Sequence, residues 1–190
     1  MQEFEEIRSE LKNILKPDRY RHTTGVMYTA ASLAMRYDAD IKKAMYAGLL
    51  HDCGKFTSGE EQIKLCRQHG ILLTESEIAM PALVHAKLGA YYAETKYGVD
   101  DKEILNSILY HTTGRPAMTM LEKIIYIADY IEPNRKMIPK LDMVRKLAFT
   151  DIDKAVALSA ASTIGYLKRV GNPVDPLTSK TLEYYETKEV

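Results

Sequence analysis

Ala44-Met45-Tyr46-Ala47-Gly48-Leu49-Leu50-His51-Asp52-Cys53-Gly54-Lys55 is the stretch on which the fold and the chemistry both turn. Ala44, Ala47, Gly48 and His51 recur at three- and four-residue intervals, so their side chains share one face of a helix. Small residues on that face let a neighbouring helix come close. His51 closes it with a polar ring aimed into a core, where lack of a partner would cost about 1–3 kcal/mol. Asp52 follows at the helix end. Residues 53–60 then form a turn region, because two glycines and small polar residues interrupt the periodicity.

Helical spacing extends outward in both directions, with few runs that alternate with period two. A first helix is expected over Phe4 to Leu15. Pro17-Asp18 ends it and opens a second, with Asp18 as the cap, carrying His22, Val26, Thr29, Ala30 and Leu33. Asp40 starts the helix that runs into His51. Further helices are expected around Ile63 and Leu65 up to Gly70, from Glu77 to Lys96 with Pro81 tolerated early, and from Asp101 to His111. A strongly apolar one spans Thr119 to Ile131 and stops at Glu132-Pro133. Asp151 to Val170 is a long helix halted by Gly171-Asn172-Pro173, and a short one follows Thr178. No repeat, low-complexity stretch or linker divides the chain. The expectation is an all-α helical bundle, one domain over 1–190.

Bulk composition excludes several classes. Lys plus Arg and Asp plus Glu both total 26, so the formal net charge is zero. General nucleic-acid binding needs a basic excess and is not expected. No apolar run reaches membrane-spanning length. The start, Met1-Gln2-Glu3-Phe4-Glu5-Glu6, lacks the basic and apolar regions of a signal peptide. Cys53 and Cys66 are too few for a disulfide framework, and a cytoplasmic location follows from these features.

Four histidines lie on helix faces that otherwise read as buried. His22 aligns with Val26 and Thr29, His51 with Ala44 and Ala47, His85 with Leu88 and Gly89, and His111 with Ile104 and Ile108. Asp129 follows Leu121 and Ile125 at helical spacing, on the buried side of the most apolar helix. An ionised carboxylate there needs a cation. Taken singly, each residue has a bland alternative: a hydrogen-bonded core histidine, a helix-capping His111, or Asp129 paired with Lys123. His69, just before Gly70 on a polar stretch, reads as a helix cap. Jointly, His22, His51, Asp52, His85, His111 and Asp129 are better explained as ligands of a shared metal. Mixed imidazole and carboxylate donors suit iron, manganese, zinc or cobalt rather than calcium or magnesium.

The order His22, His51-Asp52, His85, His111, Asp129 resembles the metal signature of the HD-domain phosphohydrolases. The segments Arg21-His22-Thr23-Thr24-Gly25-Val26, Gly48 to Lys55, Leu109-Tyr110-His111-Thr112-Thr113-Gly114 and Ile127-Ala128-Asp129-Tyr130-Ile131-Glu132-Pro133-Asn134-Arg135 are similar to the bacterial YqeK subfamily. That resemblance implies a symmetrical dinucleoside tetraphosphatase, which cleaves diadenosine tetraphosphate into two ADP at a site containing iron, one ion or two. Manganese, cobalt and zinc are the alternatives. It also implies that His22, His51, Asp52 and Asp129 hold one ion, and that Asp52, His85 and His111 hold the second, with Asp52 as the bridge. Lys55, Thr112, Arg135 and Gly171-Asn172-Pro173 match nucleotide-contacting positions, and the metal-centre residues would face the same ligand. Many family members carry another small residue where Gly54 stands, so little is expected to depend on it. The expected partner is a small nucleotide, without nucleic acid or membrane, and a homodimer is left open.

The chemistry implied is hydrolysis by a dimetal-activated hydroxide, since a bound ion lowers the pKa of water from about 15.7 toward 7. Asp52, Lys55 and Asp129 are the residues expected to carry it, with Lys55 and Arg135 neutralising phosphate charge. The rivals are another enzyme of the superfamily (a deoxynucleotide triphosphohydrolase, a nucleotidase or a cyclic-nucleotide phosphodiesterase), a non-catalytic nucleotide sensor, and a helical scaffold without ligand.

Overall fold

A computed structural model describes residues 3–187, so Met1 and Gln2 of the acidic start and residues 188–190 lie outside the described residues. The described chain contains helices and no strand, which agrees with the all-α expectation. The helices are α1 (Phe4–Ile14), α2 (Pro17–Arg36), α3 (Ile41–Leu50), α4 (Gly59–Gln68), α5 (Glu75–Ala79), α6 (Val84–Thr95), α7 (Lys102–Leu109), α8 (Met120–Ile131), α9 (Leu141–Thr150), α10 (Ile152–Arg169) and α11 (Pro176–Glu186).

Most starts follow from one capping side chain. Asp40 accepts from Lys43 N, Asp101 from Glu103 N and Asp151 from Lys154 N, each satisfying an amide that the first turn leaves open. At α8, Thr119 and Glu122 form a reciprocal capping box. The expected cap of α2 is wrong. Lys16 is the flanking residue and Pro17 occupies the first turn, where its missing N–H costs nothing. Asp18 stands inside that turn and faces Arg21 at 3.7 Å. Pro81 is not absorbed into one long helix either. It splits the expected Glu77–Lys96 element into α5, a 3-10 turn at Pro81–Leu83, and α6.

No helix is expected over 141–150, yet Leu141, Val144 and Ala148 are buried at helical spacing in α9. The last helix begins at Pro176, capped by Asp175, rather than after Thr178.

The core that positions the site lies among α2, α3, α7 and α8, with α10 packed on α8 from outside. Gly48 is needed where α3 crosses α2, because a Cβ there would stand 2.9 Å from Met27 Cα. Gly54 carries more than expected. A Cβ on it would lie 2.6 Å from His85 O and 2.7 Å from Gly89 N, so any side chain must push the backbone of α6.

Candidate metal centre

All six expected ligands converge at one place. His51 and Asp52 end α3, His22 comes from the second turn of α2, and His85 from the start of α6. His111 lies just past α7, and Asp129 on α8. His51, Asp52, His85 and His111 are at most 2% exposed. Ring and carboxylate atoms of His22, His51 and Asp129, and of His51, Asp52 and His111, lie within 4.8 Å of one another.

The ring orientations are fixed from behind. Nδ1 of His51 donates to Gly48 O, that of His85 to Ala82 O, and that of His111 to Ile108 O, each at 2.7 Å. A carbonyl can only accept, so Nδ1 carries the proton and Nε2 presents a lone pair to the interior. His22 is held differently. Its Nδ1 lies 3.1 Å from Glu132 Oε1, a carboxylate that also accepts from Asn134 N and Nδ2 at 2.7 and 3.0 Å. Gly25 makes room for that carboxylate, since a Cβ there would stand 2.3 Å from Glu132 Oε2.

Asp52 divides its two oxygens between the ends of the cluster. Oδ1 lies 3.2 Å from His85 Nε2 and 3.7 Å from His111 Nε2. Oδ2 lies 3.4 Å from His51 Nε2 and 3.8 Å from His22 Nε2, and accepts from Arg19 Nη1 at 2.8 Å. Burial opposes its charge, but the surrounding imidazoles hold the carboxyl well below the usual range. Asp129 behaves alike: burial raises its pKa, and His22, at 3.0 Å, together with His51 and His111 more than reverses that.

This donor set fits a divalent cation. His85 Nε2 and His111 Nε2 face each other at 3.1 Å, two lone pairs that repel unless a cation or shared proton lies between them. His22 Nε2, His51 Nε2 and Asp52 Oδ1 are buried without a hydrogen-bond partner, a cost of about 1–3 kcal/mol each that coordination would remove. Burial drives the His85 pKa down to about 4, which keeps the ring neutral as a ligand must be. For His22 burial acts downward too, but Asp129, Asp52 and Glu132 outweigh it and the pKa is raised.

One bland alternative fails on contacts. Lys123 pairs with Asp153 at 2.7 Å rather than with Asp129. His69 ends α4 and stacks on Tyr91, outside the cluster, as a cap should. Arg115 anchors buried Glu122 at 2.8 Å.

Among the expected nucleotide contacts, Lys55 Nζ lies 3.5 Å from both Asp52 Oδ1 and His85 Nε2, and Arg135 Nη1 lies 3.6 Å from Asp129 Oδ1. Thr112 lines a cavity of about 390 Å³ together with Lys87 and Lys180. Gly171-Asn172-Pro173 is not brought into the cluster. Gly171, with φ of 72°, and Asn172 donate back to Lys168 O and Leu167 O, so the observed role of the segment is to end α10.

Sequence reasoning missed Glu132 and Arg19. Glu132 had been read only as part of a helix stop, although a carboxylate next to Pro133 and 1% exposed needs a partner. Arg19 gave no signal, because its pairing with Asp52 spans two helices.

Comparison with known proteins gives a consistent picture. Residues 19–134 match the HD domain family. The chain is 45% identical over 183 residues to a symmetrical bis(5'-nucleosyl)-tetraphosphatase of Bacillus subtilis, covering 95% of this chain and 96% of that one. A Staphylococcus aureus protein of the same description is 37% identical, with 96% and 94% covered. A crystal structure from Clostridium acetobutylicum, described as a predicted HD superfamily hydrolase involved in NAD metabolism, superposes with a TM-score of 0.95 at 41% identity over the whole of both chains.

Proposed function

The chain belongs to the HD domain family, and from that footing we propose that it is a symmetrical dinucleoside tetraphosphatase that cleaves diadenosine tetraphosphate into two ADP. The observation that carries this reading is the six-residue His/Asp cluster on a chain that matches enzymes of that description along almost its full length.

His22, His51, Asp52 and Asp129 would hold one divalent ion, and Asp52, His85 and His111 a second, with Asp52 shared between them. Iron is the proposed metal, with manganese, cobalt and zinc as alternatives for the same donors. When bound, such ions polarise a phosphoryl oxygen and make water a competent nucleophile near neutral pH. The chain's own part is electrostatic and geometric. Lys55 stands over the His85 end and Arg135 over the Asp129 end, so each would neutralise phosphate oxygens on one side of the cut bond. Arg19 fixes the Asp52 carboxylate in place. Addition of water across the central P–O–P bond gives one ADP on each side, an anion that leaves without a strong general acid.

Two free cysteines, both buried, fit a reducing cytoplasm, and no helix among the described residues is long and apolar enough to cross a membrane.

Incubating metal-loaded protein with diadenosine tetraphosphate and separating the products tests the reading. Two ADP is the expected result. ATP plus AMP, or inorganic triphosphate released from a deoxynucleotide in its place, would reject it.

A further inference from the structure

Another cation stands at the metal centre beside the two assigned to phosphate. Arg19, in the first turn of α2, donates from Nη1 to Asp52 Oδ2 at 2.8 Å. Its side chain is 35% exposed and that of Asp52 only 1%, so the guanidinium reaches from the surface to a buried carboxylate. Among the described residues this is the one hydrogen bond the side chain makes, and Asp52 is its only acidic partner. The remaining N–H donors of the planar fork are left for solvent or for a ligand.

The charge of Arg19 runs against the other contacts behind the candidate ligands. The four imidazoles are backed by acceptors, three carbonyls and one carboxylate, which strengthen each ring as a ligand. A guanidinium does the reverse. It draws on the charge of Asp52 and repels an incoming cation. A backbone amide or an asparagine could hold the carboxylate in place without that repulsion. A permanent positive charge here gains its use when an anion comes to it.

The contacts place that charge between the two cations already assigned. Lys55 lies 3.5 Å from Asp52 Oδ1, and Arg135 lies 3.6 Å from Asp129 Oδ1. His22 Nε2 links the two carboxylates, 3.8 Å from Asp52 Oδ2 and 3.0 Å from Asp129 Oδ1. Arg19 is bonded to Asp52 Oδ2, inside this series, and Lys55 and Arg135 stand at its ends.

We propose that Arg19 is a catalytic residue that contacts the phosphoryl group under attack, while Lys55 and Arg135 hold the phosphates on either side. The inference rests on the function proposed above. Charge on the oxygens of that phosphoryl group must be met as water adds and ADP leaves. The bond that fixes Asp52 also aims the guanidinium, so its free N–H donors are in place before the reaction begins.

The test uses the metal-loaded full chain carrying Arg19→Gln or Arg19→Ala, with Tm confirming that each is folded. In competition with a chelator, both should bind metal at least as tightly as wild type, because a repelling charge is gone. For diadenosine tetraphosphate, kcat should fall at least about 100-fold, as when a transition-state donor is removed. ADP, the binding probe, carries a phosphate from the cut bond, and its affinity should weaken about ten-fold with the loss of one charged hydrogen bond. Turnover retained in Arg19→Gln overturns the proposal. So does a fall in kcat that follows a fall in bound metal, which would leave Arg19 as a support of Asp52 alone. ADP affinity unchanged in both variants removes the phosphate contact, and the proposal with it. Should the wild type bind ADP yet leave diadenosine tetraphosphate intact, the proposed function fails, and the ADP affinities alone decide whether Arg19 contacts phosphate.

Discussion

The four histidine rings of the cluster are aimed by two different means. His51, His85 and His111 are each steered by a backbone carbonyl three residues earlier in the chain. His22 is steered by a carboxylate 110 residues away. A carbonyl is fixed once its turn has formed, so the first three rings are aimed by local geometry. A carboxylate brings charge, raises the basicity of its ring and can be removed by mutation. Asp52 meets both kinds of ring, its Oδ1 near His85 and His111 and its Oδ2 near His51 and His22.

Removing that shared residue should have the largest effect. Asp52→Ala takes away the carboxylate that reaches all four rings and leaves Arg19 without its acceptor. Elemental analysis should find little metal, and turnover should fall by at least about a thousand-fold. Retention of one full equivalent of metal would mean that an end can hold an ion without it, and that the bridge is not needed.

How much was legible beforehand follows the same division. The candidate ligands stand out in the sequence because all but Asp52 sit on short periodic segments, and such segments carry their own pattern: Ala44, Ala47, Gly48 and His51 declare one face without help from elsewhere. Glu132 was missed because its role depends on α2 and the end of α8 meeting, which no local spacing encodes. The break at Pro81 and the missing α9 have a different origin. Pro81 was credited with an early helical position, but it follows Met80, whose φ of -128° and ψ of 74° already leave the helix. In α9, Lys140 at φ 67° precedes the first turn and no side chain caps it, so the usual start signal is absent. Little is expected to depend on Gly54 from the small residues that stand there in the resembled family, whereas its constraint in this chain is the α6 backbone.

Glu132→Gln probes the carboxylate-held end. The amide oxygen can still accept from His22 Nδ1, but the charge is gone and the amide nitrogen then replaces the oxygen that accepts from Asn134. Metal affinity, measured by competition with a chelator, should fall about 10–100-fold, the usual consequence of losing an outer-shell partner. The fold should persist, because Gln keeps the shape that Gly25 accommodates. An unchanged affinity would mean that the two ends are equivalent despite their construction.

Gly54→Ala is the matching probe of the carbonyl-held end. The added methyl must displace the backbone that carries His85, at an overpacking cost of about 1–3 kcal/mol. Thermal unfolding of the metal-free variant should register that loss. A Tm equal to wild type would show that α6 moves freely and does not fix the ring.

Lys55→Ala reaches the same end from the solvent side. Its ammonium lies 3.5 Å from His85 Nε2 and Asp52 Oδ1, yet it cannot ligate a cation. KM for diadenosine tetraphosphate should rise about ten-fold, in line with the loss of one charged hydrogen bond. Bound metal should stay constant, and a fall in metal content would move Lys55 from substrate binding to support of the ligands.

Acidity should separate the two ends with the smallest perturbation. Burial lowers the pKa of both His22 and His85, but around His22 the carboxylates Asp129, Asp52 and Glu132 reverse the effect and raise it above 6.5. His85 remains near 4. A proton on Nε2 excludes a metal, so binding below the His22 pKa must release that proton and weakens by up to about ten-fold per pH unit. The His85 ring stays neutral across the same range and imposes no such penalty. In the metal-free protein the sign is opposite: protonated His22 contributes stability at low pH, and that contribution fades as pH rises through its raised pKa. Stripping the metal should therefore lower Tm more at about pH 8 than at about pH 6, where a proton partly replaces the ion. Glu132→Gln should shift this crossover to lower pH, since it removes one of the charges that raise the His22 pKa. If chelation lowers Tm equally at both pH values, His22 does not exchange a proton for metal, and the carboxylate behind it serves only to aim the ring.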